Sequence, residues 1–237
     1  MTHLLRGTAL GGALLAALPA SAQFAGGQVD LTFRNFNDSD ISATTGRASG
    51  ELAVTKEFSL QGDIFMGKVE DSSADDLSGP GATLHGLFHV SPTSSVGAFV
   101  THERLEGDGL TSFGVEAGAM MGGFASEVWL GVGEDQDGSD ANYFGLETRH
   151  AAGIVNLTGS LEYYNISGDL SSVQGAIGVE YAASNGFAVA AQLENNYFEY
   201  DDVASESDTS VSVNATYRFG KRPGTVFGER SLLGIFR

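Results

Sequence analysis

The chain has 237 residues, 30 Asp and Glu against 12 Lys and Arg, and a formal net charge of -18. So acidic a chain repels phosphate backbones, which argues against a nucleic-acid partner. It has no Cys, hence no disulfide framework, thiolate metal site or Cys nucleophile, and its 42% apolar content is too high for a disordered chain.

Residues 1–22 read as a secretory signal peptide. Arg6 supplies a basic start, residues 9–18 an apolar stretch, and Pro19 with Ala20-Ser21-Ala22 a small-x-small cleavage site. A membrane helix needs about 20 apolar residues, more than this stretch offers. Cleavage is expected before Gln23. The expected organisation is a signal peptide over 1–22, a barrel over 23–219 and a basic extension over 220–237.

From Gln23 onward the pattern alternates with period two. Val29, Leu31 and Phe33 alternate with Asp30, Thr32 and Arg34; Val155, Leu157 and Leu161 alternate with Asn156, Thr158 and Glu162. Val173, Ile177, Val179 and Tyr181 alternate with Gln174, Ala176 and Glu180, and Val211, Val213, Tyr217 and Phe219 alternate with Ser210, Ser212, Thr216 and Arg218. Alternation of this kind places one set of side chains on each face of a sheet, whereas a helix needs apolar residues three and four apart.

Short turns fall near residues 55–57, 91–94, 122–123, 150–153 and 184–186. Longer polar segments, mostly acidic, lie between them at 37–49, 70–79, 105–109, 134–140, 167–170 and 201–208. These connections predict about twelve strands, within a range of roughly 10 to 14, each about 9–12 residues long. A secreted β-sandwich would share the alternation but not a short–long asymmetry repeated over every hairpin. The predicted fold is therefore all-β, a transmembrane antiparallel up-and-down β-barrel.

The signal peptide, the hairpin rhythm and the closing segment Val211-Ser-Val-Asn-Ala-Thr-Tyr-Arg-Phe219 resemble a Gram-negative outer-membrane β-barrel protein of the small-porin kind. The resemblance implies an outer-membrane location, contact with outer-membrane lipid and lipopolysaccharide, and a final aromatic read by the barrel-insertion machinery. Tyr217 and Phe219 match that ending, but the chain continues through residues 220–237.

If the apolar residues face lipid, the other face lines the lumen. That places Asp30, Arg34, Glu51, Asp63, Glu116, Glu127, Glu162, Glu180, Glu194 and Arg218 inside. The expected function is a narrow passive channel for small solutes or cations, with the lumen acids favouring cations. The alternative is a non-conducting structural or surface-interaction barrel acting through its acidic loops. Leu60, Ile64, Met66, Leu84, Phe88, Val128 and Leu130 are expected to face lipid, with Tyr143, Tyr163, Tyr181, Tyr197 and Tyr217 near strand ends as a girdle. Trp129 shares the parity of Glu127, so a wrong face or a bulge is expected there.

No residue set points to an enzyme or to a bound cofactor. His85 and His89 lie four residues apart, which on a strand is about 13 Å, too far for one metal ion. Residues 134–140 lack the register and closing Glu of an EF-hand, leaving Asp135, Asp137 and Asp140 as a weak Ca²⁺ candidate. No G-x-S-x-G occurs, and His102 beside Glu103 points to the opposite face. The extension carries Lys221, Arg222, Arg230 and Arg237 against one acid, Glu229. Its basic character complements an acidic lumen, so it is expected either to plug the lumen or to hang free.

Overall fold

The computed structural model describes residues 22–37, 39–71, 77–105, 108–135, 138–166, 170–200, 204–221 and 224–231. The strands run β1 (Gln23–Phe36), β2 (Ile41–Ala53), β3 (Phe58–Asp71), β4 (Leu77–Ser91), β5 (Ser94–Leu105), β6 (Asp108–Met121), β7 (Phe124–Asp135), β8 (Asp140–Ala152), β9 (Val155–Ile166), β10 (Leu170–Ala182), β11 (Phe187–Tyr200) and β12 (Ala204–Gly220). Each pairs antiparallel with its sequence neighbours, and β12 pairs with β1 to close the barrel. Closure gives every strand a partner on both edges, the condition for spanning lipid without helices.

The two faces are inverted relative to a water-soluble barrel. In β3, Gln61, Asp63 and Phe65 are buried while the alternate Ile64 and Met66 are 65% and 63% exposed. The same outward exposure holds for Val29, Leu31 and Phe33 of β1, Leu84 and Phe88 of β4, Val128 and Leu130 of β7, and Val211 and Val213 of β12. An apolar exterior around a charged interior is stable only in lipid, so the strands span a membrane.

Connections alternate between two ends. One end has turns at 54–57, 92–93, 122–123, 153–154 and 183–186; at the other, strands are joined at 37–40, 72–76, 106–107, 136–139, 167–169 and 201–203. The turn between β6 and β7 is made by Gly122 and Gly123, both with positive φ (59° and 81°), as a two-residue hairpin turn requires.

The loops are shorter than expected and the strands longer. Residues 41–49 form the first part of β2, and β12 begins at Ala204, inside the segment expected to be a loop over 201–208. Strands run from 12 to 17 residues. At about 3.3 Å per residue and a tilt of about 40°, a 14-residue strand such as β1 rises about 35 Å. That exceeds the ~25 Å apolar band of such barrels, so the acidic strand ends stand clear of the lipid. β2 escapes the alternation test because its outward residues Thr44, Gly46, Ala48 and Gly50 are small or polar.

Glycine makes room inside. Trp129 pairs across strands with Gly145 and Tyr143 with Gly131. A Cβ on Gly145 would lie 1.9 Å from Trp129, and one on Gly131 would lie 2.4 Å from Tyr143. The missing side chains let the rings lie flat on the barrel wall. Phe65 over Gly81 and Phe99 over Gly114 repeat the device. The ladders around β7 run without a bulge, so Trp129 and Glu127 both face inward and the parity was right.

Candidate functional site

The ten residues assigned to the lumen by alternation are all buried or half-buried. Arg34, Glu51, Asp63, Glu116, Glu180 and Glu194 are at most 6% exposed, although the barrel's outer face is fully open. Asp30, Glu127, Glu162 and Arg218 are intermediate. They do not form a ring of carboxylates but separate clusters.

On the wall made by β8–β12 and β1, the two most deeply buried acids, Glu180 and Glu194, are matched by arginines of the same wall. Glu180 accepts from Arg149 (2.9 Å), Arg218 (2.8 Å) and Asn156 (2.8 Å). Glu194 pairs with Arg34 and accepts from Ser210 (3.1 Å) and Ser212 (2.7 Å). Asp30 accepts from Thr216 (2.7 Å) and Gln28 (3.1 Å), and Glu162 accepts from the Tyr164 hydroxyl.

The β2–β7 wall is different, because the C-terminal segment lies against it inside the barrel. Residues 224–231 enter from the turn end. Gln61 on β3 donates to the Phe227 carbonyl (2.8 Å) and accepts from the Phe227 N–H (3.2 Å). Further along, the Gly228 N–H donates to Glu127 (3.2 Å), and the Ser231 hydroxyl donates to Glu103 on β5 (2.5 Å). Phe227, Glu229, Arg230 and Ser231 are at most 3% exposed.

Arg230 is the segment's principal anchor. Its Nε donates to Glu116 (2.9 Å), its Nη2 donates to Glu127 (3.0 Å), and its guanidinium carbon lies 4.1 Å from the Trp129 ring centroid. Behind this site, His85 bridges Glu116 (2.8 Å, through Nδ1) and Asp63 (2.7 Å, through Nε2). Arg47 lies within 3.8 Å of Asp63 and of Asp30 and 3.9 Å from Glu229. Six strands (β1, β2, β3, β4, β6 and β7) and the tail thus share one connected set of charges.

Toward the loop end the interior turns aromatic. Phe99, Trp129, Ala141, Tyr143 and Tyr164 form a buried cluster against Leu110, Ile166 and Phe198. Tyr143, expected in a lipid-facing girdle, is 3% exposed, stacks on Tyr164 (6.0 Å between centroids) and shares a hydrogen bond with Ser112 (3.0 Å). The physical reason is Gly131, which leaves the space beside it open to an inward ring. Tyr181, Tyr197 and Tyr217 are on the outer face.

Sequence reasoning missed Arg47, Glu103, Glu147 and Arg149 as lumen groups, and named Arg230 only as one base of an extension expected to plug the lumen or hang free. Parity from Glu127 and Thr101 would have recovered Glu147 and Glu103 by cross-strand counting; Arg47 lay in a segment read as loop. His85 and His89 both point inward, and His89 contacts Ser59 (2.8 Å) and Ser95 (2.8 Å). His102 is exposed and Glu103 buried, on opposite faces as the strand geometry requires. Of the Ca²⁺ candidates, Asp140 is exposed; Asp137 and the Asp135 side chain lie outside the described residues, as do residues 1–21 with the expected signal peptide. Among the described residues no group of three or more His, Asp or Glu is arranged to hold a metal ion.

No protein-family model matches the sequence, and no curated protein matches it significantly. Solved structures do match in fold. The KdgM porin, solved in complex with disordered oligogalacturonate, superposes with a TM-score of 0.59 at 9% identity, covering 81% of this chain and 99% of that one. The NanC porin gives 0.60 at 8% identity, covering 81% and 100%. An outer membrane channel from Pseudomonas putida F1 gives 0.58 at 12% identity, covering 85% and 96%. Across so small an identity the likeness is one of fold, and the fold is that of the small porins.

Proposed function

We propose that the protein is a passive channel of the outer membrane, taking small solutes or cations through a narrow, net-acidic lumen. The observation that carries this reading is the inverted barrel: buried carboxylates and guanidiniums fill an interior that a merely structural rod would pack more cheaply with apolar side chains. The porin fold of its structural neighbours supports it. Carboxylates outnumber guanidiniums along the lumen, so Asp30, Glu51, Asp63, Glu116, Glu127, Glu162, Glu180 and Glu194 would lower the energy of a cation, while Arg34 and Arg218 confine the acidic stretch.

A second reading, a non-conducting barrel, is favoured by the tail inside the lumen. Planar-bilayer recording decides between them. The channel reading expects discrete conductance steps, with a reversal potential under a KCl gradient shifted toward that of K⁺; silent bilayers with verified insertion would overturn it. The acidic loop end would meet lipopolysaccharide through bridging divalent cations, and the β12 aromatics Tyr217 and Phe219 would be read during insertion. Neither partner requires the lumen to be open.

A further inference from the structure

The seat of Arg230 is more completely built than a tail contact needs. Its carboxylates come from two adjacent strands, Glu116 from β6 and Glu127 from β7, and its floor is the face of Trp129, also from β7. Together they meet a guanidinium on two edges and one face: Nε to Glu116 at 2.9 Å, Nη2 to Glu127 at 3.0 Å, and the ring at 4.1 Å. Among its described residues the tail adds its own Glu229 carbonyl, 3.4 Å from Nη1, and the more distant Phe227 ring at 5.7 Å. Two of the three wall components are themselves fixed by the wall. Glu116 is held by His85 through its other oxygen, and Trp129 lies in the space left by Gly145. Planar charge, forked donors and an aromatic face are the features that distinguish guanidinium recognition from recognition of a simple cation.

We propose that Glu116, Glu127 and Trp129 form a binding site in the lumen for small solutes that carry a guanidinium group, and that Arg230 occupies this site as an internal competitor. The proposal deepens the channel reading by naming a solute class and rests on it for the route by which the solute arrives. In this arrangement a guanidinium solute displaces the tail by exchange: the carboxylate pair is never left uncompensated, because one cation enters as the other leaves. A solute without that group faces a lumen in which residues 224–231 stay seated.

Trp129 is the chain's single tryptophan, so its emission reports the seat directly. The test titrates arginine methyl ester against folded barrels in detergent: the natural chain, Arg230→Ala, and a chain lacking 224–237, each checked for folding by its heat-dependent gel shift. Both altered barrels should show a saturable change in Trp129 emission, and the natural chain the same change at higher concentration. Adding Glu116→Gln to Arg230→Ala should weaken the response by at least about tenfold, the scale of a lost charge-assisted hydrogen bond. Lysine methyl ester should bind more weakly than the arginine ester. KCl at equal ionic strength should give no saturation. An emission change absent from both altered barrels, reproduced by KCl, or indifferent to Glu116→Gln would overturn the proposal. If neither altered barrel folds, refolding restored by the arginine ester supports the site, and refolding not restored by it counts against it. Conductance is scored separately: saturable binding in a barrel that passes no current would keep the site and reject the channel.

Discussion

The two halves of the lumen solve the same electrostatic problem in different ways. On β8–β12 and β1, the two most deeply buried acids find their cations within the wall: Glu194 has Arg34, and Glu180 has Arg149 and Arg218. On β2–β7, Arg47 and His85 serve Asp63, but Glu116 and Glu127 are met by Arg230, which belongs to no strand. A wall matched within itself is a permanent structure. A wall matched by a segment that enters from one end is complete only while that segment stays. The difference identifies which half of the lumen can change state.

Removing residues 224–237 breaks the comparison most directly. The β2–β7 face would then be open to water along its length, and single-channel conductance should rise several-fold in planar bilayers, with a larger K⁺ preference because Glu116 and Glu127 lose their counter-charge. Identical current amplitudes in the shortened and full chains would mean that the tail lies beside the conducting path and not in it.

Next in size is the contrast between two arginine deletions. Arg34→Ala strands Glu194 in a wall with no replacement cation, and breaking a buried pair from one side costs about 3–5 kcal/mol. Arg230→Ala should cost less, about 1–2 kcal/mol, because the tail can withdraw and let water reach the two carboxylates. Urea unfolding in detergent, followed by the gel shift, gives both numbers. Equal losses would show that the tail is as fixed as a strand.

How much of this was legible in the sequence follows from the range of the forces involved. Strand number and the inward positions of Glu116, Glu180 and Glu194 were readable because alternation is a local property, set residue by residue. The turns were readable because Gly122-Gly123 and the 183–186 segment carry their geometry in their own composition. β2 was not, since Thr44, Gly46, Ala48 and Gly50 present a lipid face without large apolar groups. Tyr143 and Trp129 were misjudged or doubted because the glycine that admits each ring sits on a neighbouring strand. The seat of Arg230 lay furthest from view: it joins residues more than a hundred positions apart, and only the basic composition of the extension hinted at it.

Glycine substitutions test how far the interior of the tail-bearing half is packed. Gly145→Ala places a methyl group 1.9 Å from Trp129, so the ring must leave the wall and Arg230 loses its floor. Such overpacking costs about 1–3 kcal/mol, and Trp129 emission should shift at the same time. Gly175→Ala on β10 meets nothing within 4 Å and should change unfolding by less than about 0.5 kcal/mol. A matching loss at both positions would assign the cost to glycine's strand context and not to the ring.

Among the charged groups, the smallest effect is expected from Glu180→Gln. Its two arginine partners differ in exposure, with Arg149 42% exposed and Arg218 18%, so water takes over much of the lost interaction and stability should fall by only about 1 kcal/mol. The electrical consequence is more informative. Two guanidiniums left without their carboxylate make the β8–β12 wall locally positive, and the reversal potential in a KCl gradient should move modestly toward that of Cl⁻. Gly224 lies beside Arg218, so the tail is cut after it: the size of the shift should be the same with and without residues 225–237. Dependence on the tail would mean that the two walls share one potential, and the separation between a fixed half and an exchangeable half would fail.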